Sequence, residues 1–173
     1  MAKEYTLIPP DHLKKAAEKV EKSSKQWISS FNKKQANKLD STVHSLHNKI
    51  FEQIDCLQCA NCCKSISPAL YDKDIERLAK ALKIKPSEFI NVYLNIDEES
   101  DYVFKSTPCP FLDSDNYCMV YENRPKACRE YPHTDRPRFF QILKLTVMNT
   151  FVCPAAYYVM EELKTPTHKS STQ

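Results

Sequence analysis

None of the 173 residues is glycine, where ordinary usage of ~7% would supply about a dozen. The absence removes the phosphate-cradling loops and the nucleophile elbow. Each of those needs a residue without a Cβ where the backbone turns sharply or approaches its ligand. Much enzyme chemistry is thereby excluded. Helix ends and tight turns must then rest on Asn, Asp and Pro.

A 42% hydrophobic content supports an ordinary core for one domain, with room for an appendage. The longest apolar runs fall well short of the ~20 residues of a membrane span, and MAKEYTLIPP lacks the apolar stretch of a signal peptide. The expectation is a soluble cytoplasmic protein with no membrane partner. Residues 1–50 carry ten Lys against five Asp and Glu. Because Lys alternates with Glu and few aromatics intervene, this reads as a solvated helix surface, and nucleic acid is not an expected partner.

Residues 11–54 follow helical spacing, with Pro9-Pro10 blocking helix before Asp11, a candidate N-cap. Leu13, Ala16, Ala17, Val20, Trp27, Ile28 and Phe31 form one apolar series, and Leu39, Val43, Leu46, Ile50 and Ile54 a second. The break is expected between Asn37 and Ser41, with Asp40 or Ser41 capping the second helix. His44 and His47, at i and i+3, read as surface residues. Further on, YDKDIERLAKALKI predicts a helix that turns Ile75, Leu78 and Leu82 inward, and KPSEFINVYLN another that opens at Pro86. DYVFKST predicts a short strand, LDSDNYC a turn, Phe139–Val152 a strand or hairpin, and Pro154 opens a terminal helix. The fold class expected is mainly α with a small irregular or β element. An N-terminal helical hairpin would pack on a metal-organised cysteine-cluster domain. The boundaries expected are 1–54, 55–164 and a flexible tail at 165–173.

Eight cysteines in a reducing compartment point to metal ligation or redox chemistry rather than disulfides. Four stand in CLQCANCC: Cys56, Cys59, Cys62 and Cys63. A C-x2-C-x2-C run brings three thiolates from one loop toward a metal, as in [4Fe–4S] ferredoxins, whereas structural zinc more often uses separated pairs. The others are Cys109, Cys118, Cys128 and Cys153, two of them in Cys-Pro dipeptides. Adjacent side chains diverge, so Cys62 and Cys63 serve one ion together only awkwardly. One of the two therefore faces a second ion, a polynuclear centre closed by the distant cysteines, or the core, where a free cysteine packs as a small hydrophobe. Arg124, Lys126 and Arg129 flank Cys128, where cations lower a thiol's pKa and offset thiolate charge. The competing reading pairs Arg124 with Glu122 or Glu130 at the surface. His133 is an alternative ligand. All eight cysteines are metal-ligand candidates, for zinc or iron with a [4Fe–4S] cluster among the forms considered. No nucleophile–base pair stands at motif strength, so no catalytic residue is assigned.

Taken together, CLQCANCC (56–63), CPFL (109–112) with Cys118, and VYENRPKACREYP (120–132) resemble the YkgJ-type cysteine-cluster family, a zinc- or iron-chelating domain. The resemblance covers roughly residues 55–135 and implies metal binding. Related cysteine boxes occur in flagellin lysine N-methylase, but this chain is shorter and has no recognisable S-adenosylmethionine-binding segment. Three functional expectations follow: a metal-binding protein with a largely structural metal, an Fe–S redox or group-transfer enzyme, and a metal-handling or partner-binding adaptor.

Overall fold

The computed structural model describes residues 4–165, so the expected tail lies almost wholly outside the described residues. In chain order the helices and strands are α1 (Pro10–Ser30), α2 (Ala36–Phe51), α3 (Cys56–Cys59), α4 (Asn61–Ser65), α5 (Asp72–Leu82), α6 (Pro86–Tyr93), β1 (Leu94–Ile96), β2 (Tyr102–Phe104), α7 (Lys126–Glu130), α8 (Leu143–Asn149) and α9 (Pro154–Lys164). The fold is mainly α with one two-stranded sheet, as the sequence implies. It divides into two compact units: Met1–Asp55 with Pro132–Gln173, and Cys56–Tyr131. Residues 132–164, grouped above with the cysteine domain, therefore belong with the N-terminal helices.

In the first of these units, α1 and α2 both pack on α9, and α1 also on α8. The expected hairpin is thus held through the terminal helix. Leu39, Val43, Leu46 and Ile50 are buried along one stripe of α2, and Leu13 and Ala17 along α1. α1 begins at Pro10 with Pro9 as its N-cap, so Pro10 fills the first turn, where its missing N–H costs nothing. The break falls at residues 31–35, earlier than expected, and Asp40 lies inside α2. Its carboxylate instead accepts the backbone N–H groups of Arg138 and Phe139 at 2.7 and 2.9 Å, capping a 3-10 turn at Phe139–Ile142. His44 and His47 are partly buried rather than superficial. His44 Nε2 donates to the Arg136 carbonyl at 3.1 Å, and His47 Nδ1 lies 2.8 Å from Thr134 Oγ1. The strand expected in Phe139–Val152 is helical. Thr146 and Thr150 turn their hydroxyls back onto helix carbonyls, which lets β-branched residues sit in a buried helix.

In the unit Cys56–Tyr131, α5 presents Ile75, Leu78 and Ala79 to a core completed by Leu70, Phe89, Leu94, Phe104, Phe111 and Val120. The strand expected at 102–104 pairs with β1, Leu94 opposite Phe104 and Ile96 opposite Tyr102. The tail of KPSEFINVYLN thus leaves the helix to become its partner. The left-handed positions normally given to glycine fall on Ala60, Lys83, Ser100, Asn116, His133 and Arg138, and only Asn116 is of the kind expected. Lys83 is exposed and closes α5 at φ 59°, its N–H bonded to the Ala79 and Lys80 carbonyls. Lys83→Gly is expected to raise the unfolding free energy by about 1 kcal/mol, because it relieves the Cβ clash of a left-handed residue at an exposed position. Chemical denaturation measures this, and an unchanged or lower midpoint would count against it.

Among the described residues no single helix is long and apolar enough to cross a membrane. The apolar segments Phe139–Asn149 and Pro154–Lys164 reach the required length only together, across a 120° bend.

Candidate metal centre

CLQCANCC is not one converging loop. Cys56 and Cys59 stand at the two ends of α3, whose single turn closes through Ala60 N–H to the Cys56 carbonyl at 2.8 Å. Ala60 then adopts φ 48°, at a cost of about 1–2 kcal/mol for a residue with a Cβ. That turn separates α3 from α4, which carries Cys62 and Cys63. Cys56 is exposed and Cys59 half-buried. Among the described residues, no three His, Cys, Asp or Glu side chains are grouped closely enough to hold one ion, whether around Cys56, Cys59 and Cys62 or around the distant cysteines.

Cys63 instead faces the distant cysteines. Its carbonyl accepts the Cys109 N–H at 2.8 Å, joining the first box directly to CPFL. Cys63, Cys109, Cys118 and Cys128 are mutual electrostatic neighbours in all six pairings. Two of them sit in the same local device. The Phe111 N–H donates to the Cys109 sulfur and the Val120 N–H to the Cys118 sulfur, in each case from two residues on. Both donors belong to buried side chains of the core, so burial of the apolar residue aims its amide at the sulfur. The two segments are tied to each other by a bridge between Leu112 and Cys118 and by Met119 N–H to the Phe111 carbonyl at 2.9 Å. The expected turn at 113–117 carries Asn116 in the left-handed region, and Asn116 Nδ2 donates to the Gln58 carbonyl at 3.3 Å. This bond reaches from the turn back to α3.

The thiols differ sharply in acidity. Cys63 is lowered to about 7, first by the hydrogen bond from Cys62, whose sulfur is 3.9 Å away, and then by the charges of Arg124 and Lys64 against opposing burial. Burial and the neighbouring Cys63 charge push Cys109 up to about 11 and Cys128 up to about 12, and raise Cys118 as well. Three neutral thiols thus surround one that ionises near neutrality. Neutral thiols do not attract one another, whereas deprotonation on a cation would draw them together. The donors fit zinc or iron: soft thiolates suit these ions, and hard cations prefer oxygen. In metal-stripped protein, alkylation at Cys63 is expected to rise with pH about a midpoint near 7, as thiolate replaces thiol. Cys62→Ala should move that midpoint upward. Mass spectrometry of the alkylated peptides across pH tests this, and a midpoint at the ordinary ~8.5 would contradict it.

Arg124 is the cation that acts on three of the four thiols. Its guanidinium lies 3.5 Å from the centre of the Tyr121 ring, and its Nε donates to the Tyr121 carbonyl at 2.8 Å. Its charge acts on Cys63, Cys118 and Cys128. On the same segment Lys126 Nζ lies 3.7 Å from Glu130. Cys153 and His133 belong to the other unit. Cys153 is buried as the N-cap residue of α9, and His133 holds a left-handed backbone at φ 67°.

Sequence spacing did not single out Asp74 or Arg77, which hold the 123–126 segment, nor the anchoring role of Phe111 and Val120. The repeated Cys-x-apolar pattern, CPF and CMV, carries a signal for the latter pair. The i, i+3 spacing of Asp74 and Arg77 is a signal for their pairing, but none for their reach to residues 123–126.

These features define a mainly helical protein in which one unit gathers thiols from three chain segments beside an arginine. A family model for the CxxCxxCC zinc- or iron-chelating domain matches residues 55–154. The chain belongs to that family. No curated protein matches it, and no solved structure does.

Proposed function

We propose that Cys63, Cys109, Cys118 and Cys128 hold zinc or iron as thiolates, in a reducing compartment such as the cytoplasm, and that the metal is largely structural. The observation that carries this reading is the mutual neighbourhood of four thiols from three chain segments, which a metal would tie together. Structural zinc is worth roughly 10–16 kcal/mol of apparent binding free energy in small domains at neutral pH, enough to order such loops. Arg124 offsets part of the charge of an all-thiolate site. Cys56, Cys59, Cys62 and Cys153 are candidates for further ligation.

A second reading is an iron–sulfur centre. The 3.9 Å approach of the Cys62 and Cys63 sulfurs favours it, because adjacent thiols suit a polynuclear site better than a single ion. Such a centre would supply electron transfer.

Elemental analysis with a visible spectrum on anaerobically purified protein separates the two. A colourless chain with stoichiometric zinc supports the first, and a brown one that releases sulfide in acid supports the second. Loading the metal-free protein at pH 8 should release about three protons per site, because Cys63 is already ionised and the other three are not. A metal-free preparation that takes up neither ion would reject both readings.

A further inference from the structure

Cys128 lies on α7, five residues long and too short to fix its own orientation. The contacts that fix it come from α5. The side chain of Asp74 is 3% exposed, and its Oδ1 accepts the Arg77 guanidinium and, at 3.0 Å, the Lys126 backbone N–H. Its Oδ2 accepts the Tyr71 N–H at 3.2 Å, which also closes the start of α5. Arg77 then reaches the same segment from its other side. Nε donates to the Asn123 carbonyl at 3.3 Å and Nη2 to the Arg124 carbonyl at 2.8 Å. Residues 123–126 are thus gripped through two carbonyls and one amide by a single pair, of which Asp74 is buried and Arg77 partly exposed.

We propose that the Asp74–Arg77 pair positions the thiol site. It sets the segment so that Cys128 faces Cys63, Cys109 and Cys118 and the Arg124 charge acts on Cys63 and Cys118. This rests on the metal reading above, and neither residue is a ligand. The physical argument is one of specificity. An ion pair with one buried member adds little net stability, but the hydrogen bonds of this one to residues 123–126 are satisfied in a single arrangement. Apolar packing of α5 against residues 123–126 would tolerate sliding, whereas the fork of Arg77 and the two oxygens of Asp74 do not. A displaced segment would move both the charge-compensating guanidinium and one thiol of the four.

The test uses Co2+ as the probe, added anaerobically to the full metal-free chain. Asp74→Asn and Arg77→Met remove the grip. Arg77→Lys is the milder step, keeping the charge without the fork. Leu78→Ala, fully buried on the same helix, is the control for lost stability alone. Once affinities are corrected for the unfolded fraction, the first two variants are expected to bind Co2+ about 10–100-fold more weakly. Their d–d bands should also lose the intensity of a tetrahedral thiolate site. Leu78→Ala should keep wild-type affinity and band shape after the same correction, with Arg77→Lys in between. Positioning variants that match Leu78→Ala in both readouts would overturn the inference alone. A wild-type chain that binds no Co2+ would overturn the metal reading and this inference with it.

Discussion

Cys63→Ser is expected to lose its metal while keeping its helix content, with an affinity loss larger than the ~10–100-fold that removal of an outer-shell partner costs. The residue is an electrostatic neighbour of all three distant thiols, and its own thiolate forms near pH 7. A serine hydroxyl supplies neither the soft donor nor the charge at that pH. The circular dichroism of α1, α2 and α9 should hardly change, because these helices belong to the other compact unit. Cys56→Ser is the informative comparison: Cys56 is exposed, and its loss should cost less metal than that of Cys63. Equal metal content in wild type and Cys63→Ser would remove the four-thiol set as the binding site.

Phe111→Ala is expected to cost about 3–5 kcal/mol, the range for truncating a buried aromatic residue in a core. Phe111 is 4% exposed and is the point where the aromatic cluster meets. Its ring centre lies 6.3 Å from that of Phe89, 5.1 Å from Tyr93 and 5.6 Å from Phe104. The same residue aims its amide at the Cys109 sulfur, so loss of the ring should loosen the CPFL segment as well as the core. Denaturant unfolding gives the stability change, and cobalt titration the coupled loss at the site. A loss below about 1 kcal/mol would show that the cluster collapses around the gap and that the anchor role is overstated.

The apolar stripes of α2 and α5 were legible because a helix repeats its burial every three to four residues. Leu39, Val43, Leu46 and Ile50 follow that repeat in the sequence and are buried in the fold. β1 was not legible: Leu94–Ile96 continues a helical pattern, and only pairing with Tyr102–Phe104 makes it a strand. The helix at 143–149 was hidden by Thr146 and Val147 and by Thr150 just beyond it; the two threonine hydroxyls find carbonyls only once the helix exists. Around the cysteines the motif carried the residue types and the need for closure over a long range. It did not carry the left-handed turn at Ala60, which divides the first box into two short helices. Nor could spacing reveal that Asp74, some fifty residues before Cys128, holds the segment on which that cysteine sits.

X-ray absorption at the metal edge of anaerobically purified full-length protein tests the central claim most directly, because it counts the atoms bound to the ion. A shell of sulfur alone is expected, at about 2.3 Å if the ion is zinc. A shell dominated by nitrogen or oxygen, at about 2.0–2.2 Å, would contradict it.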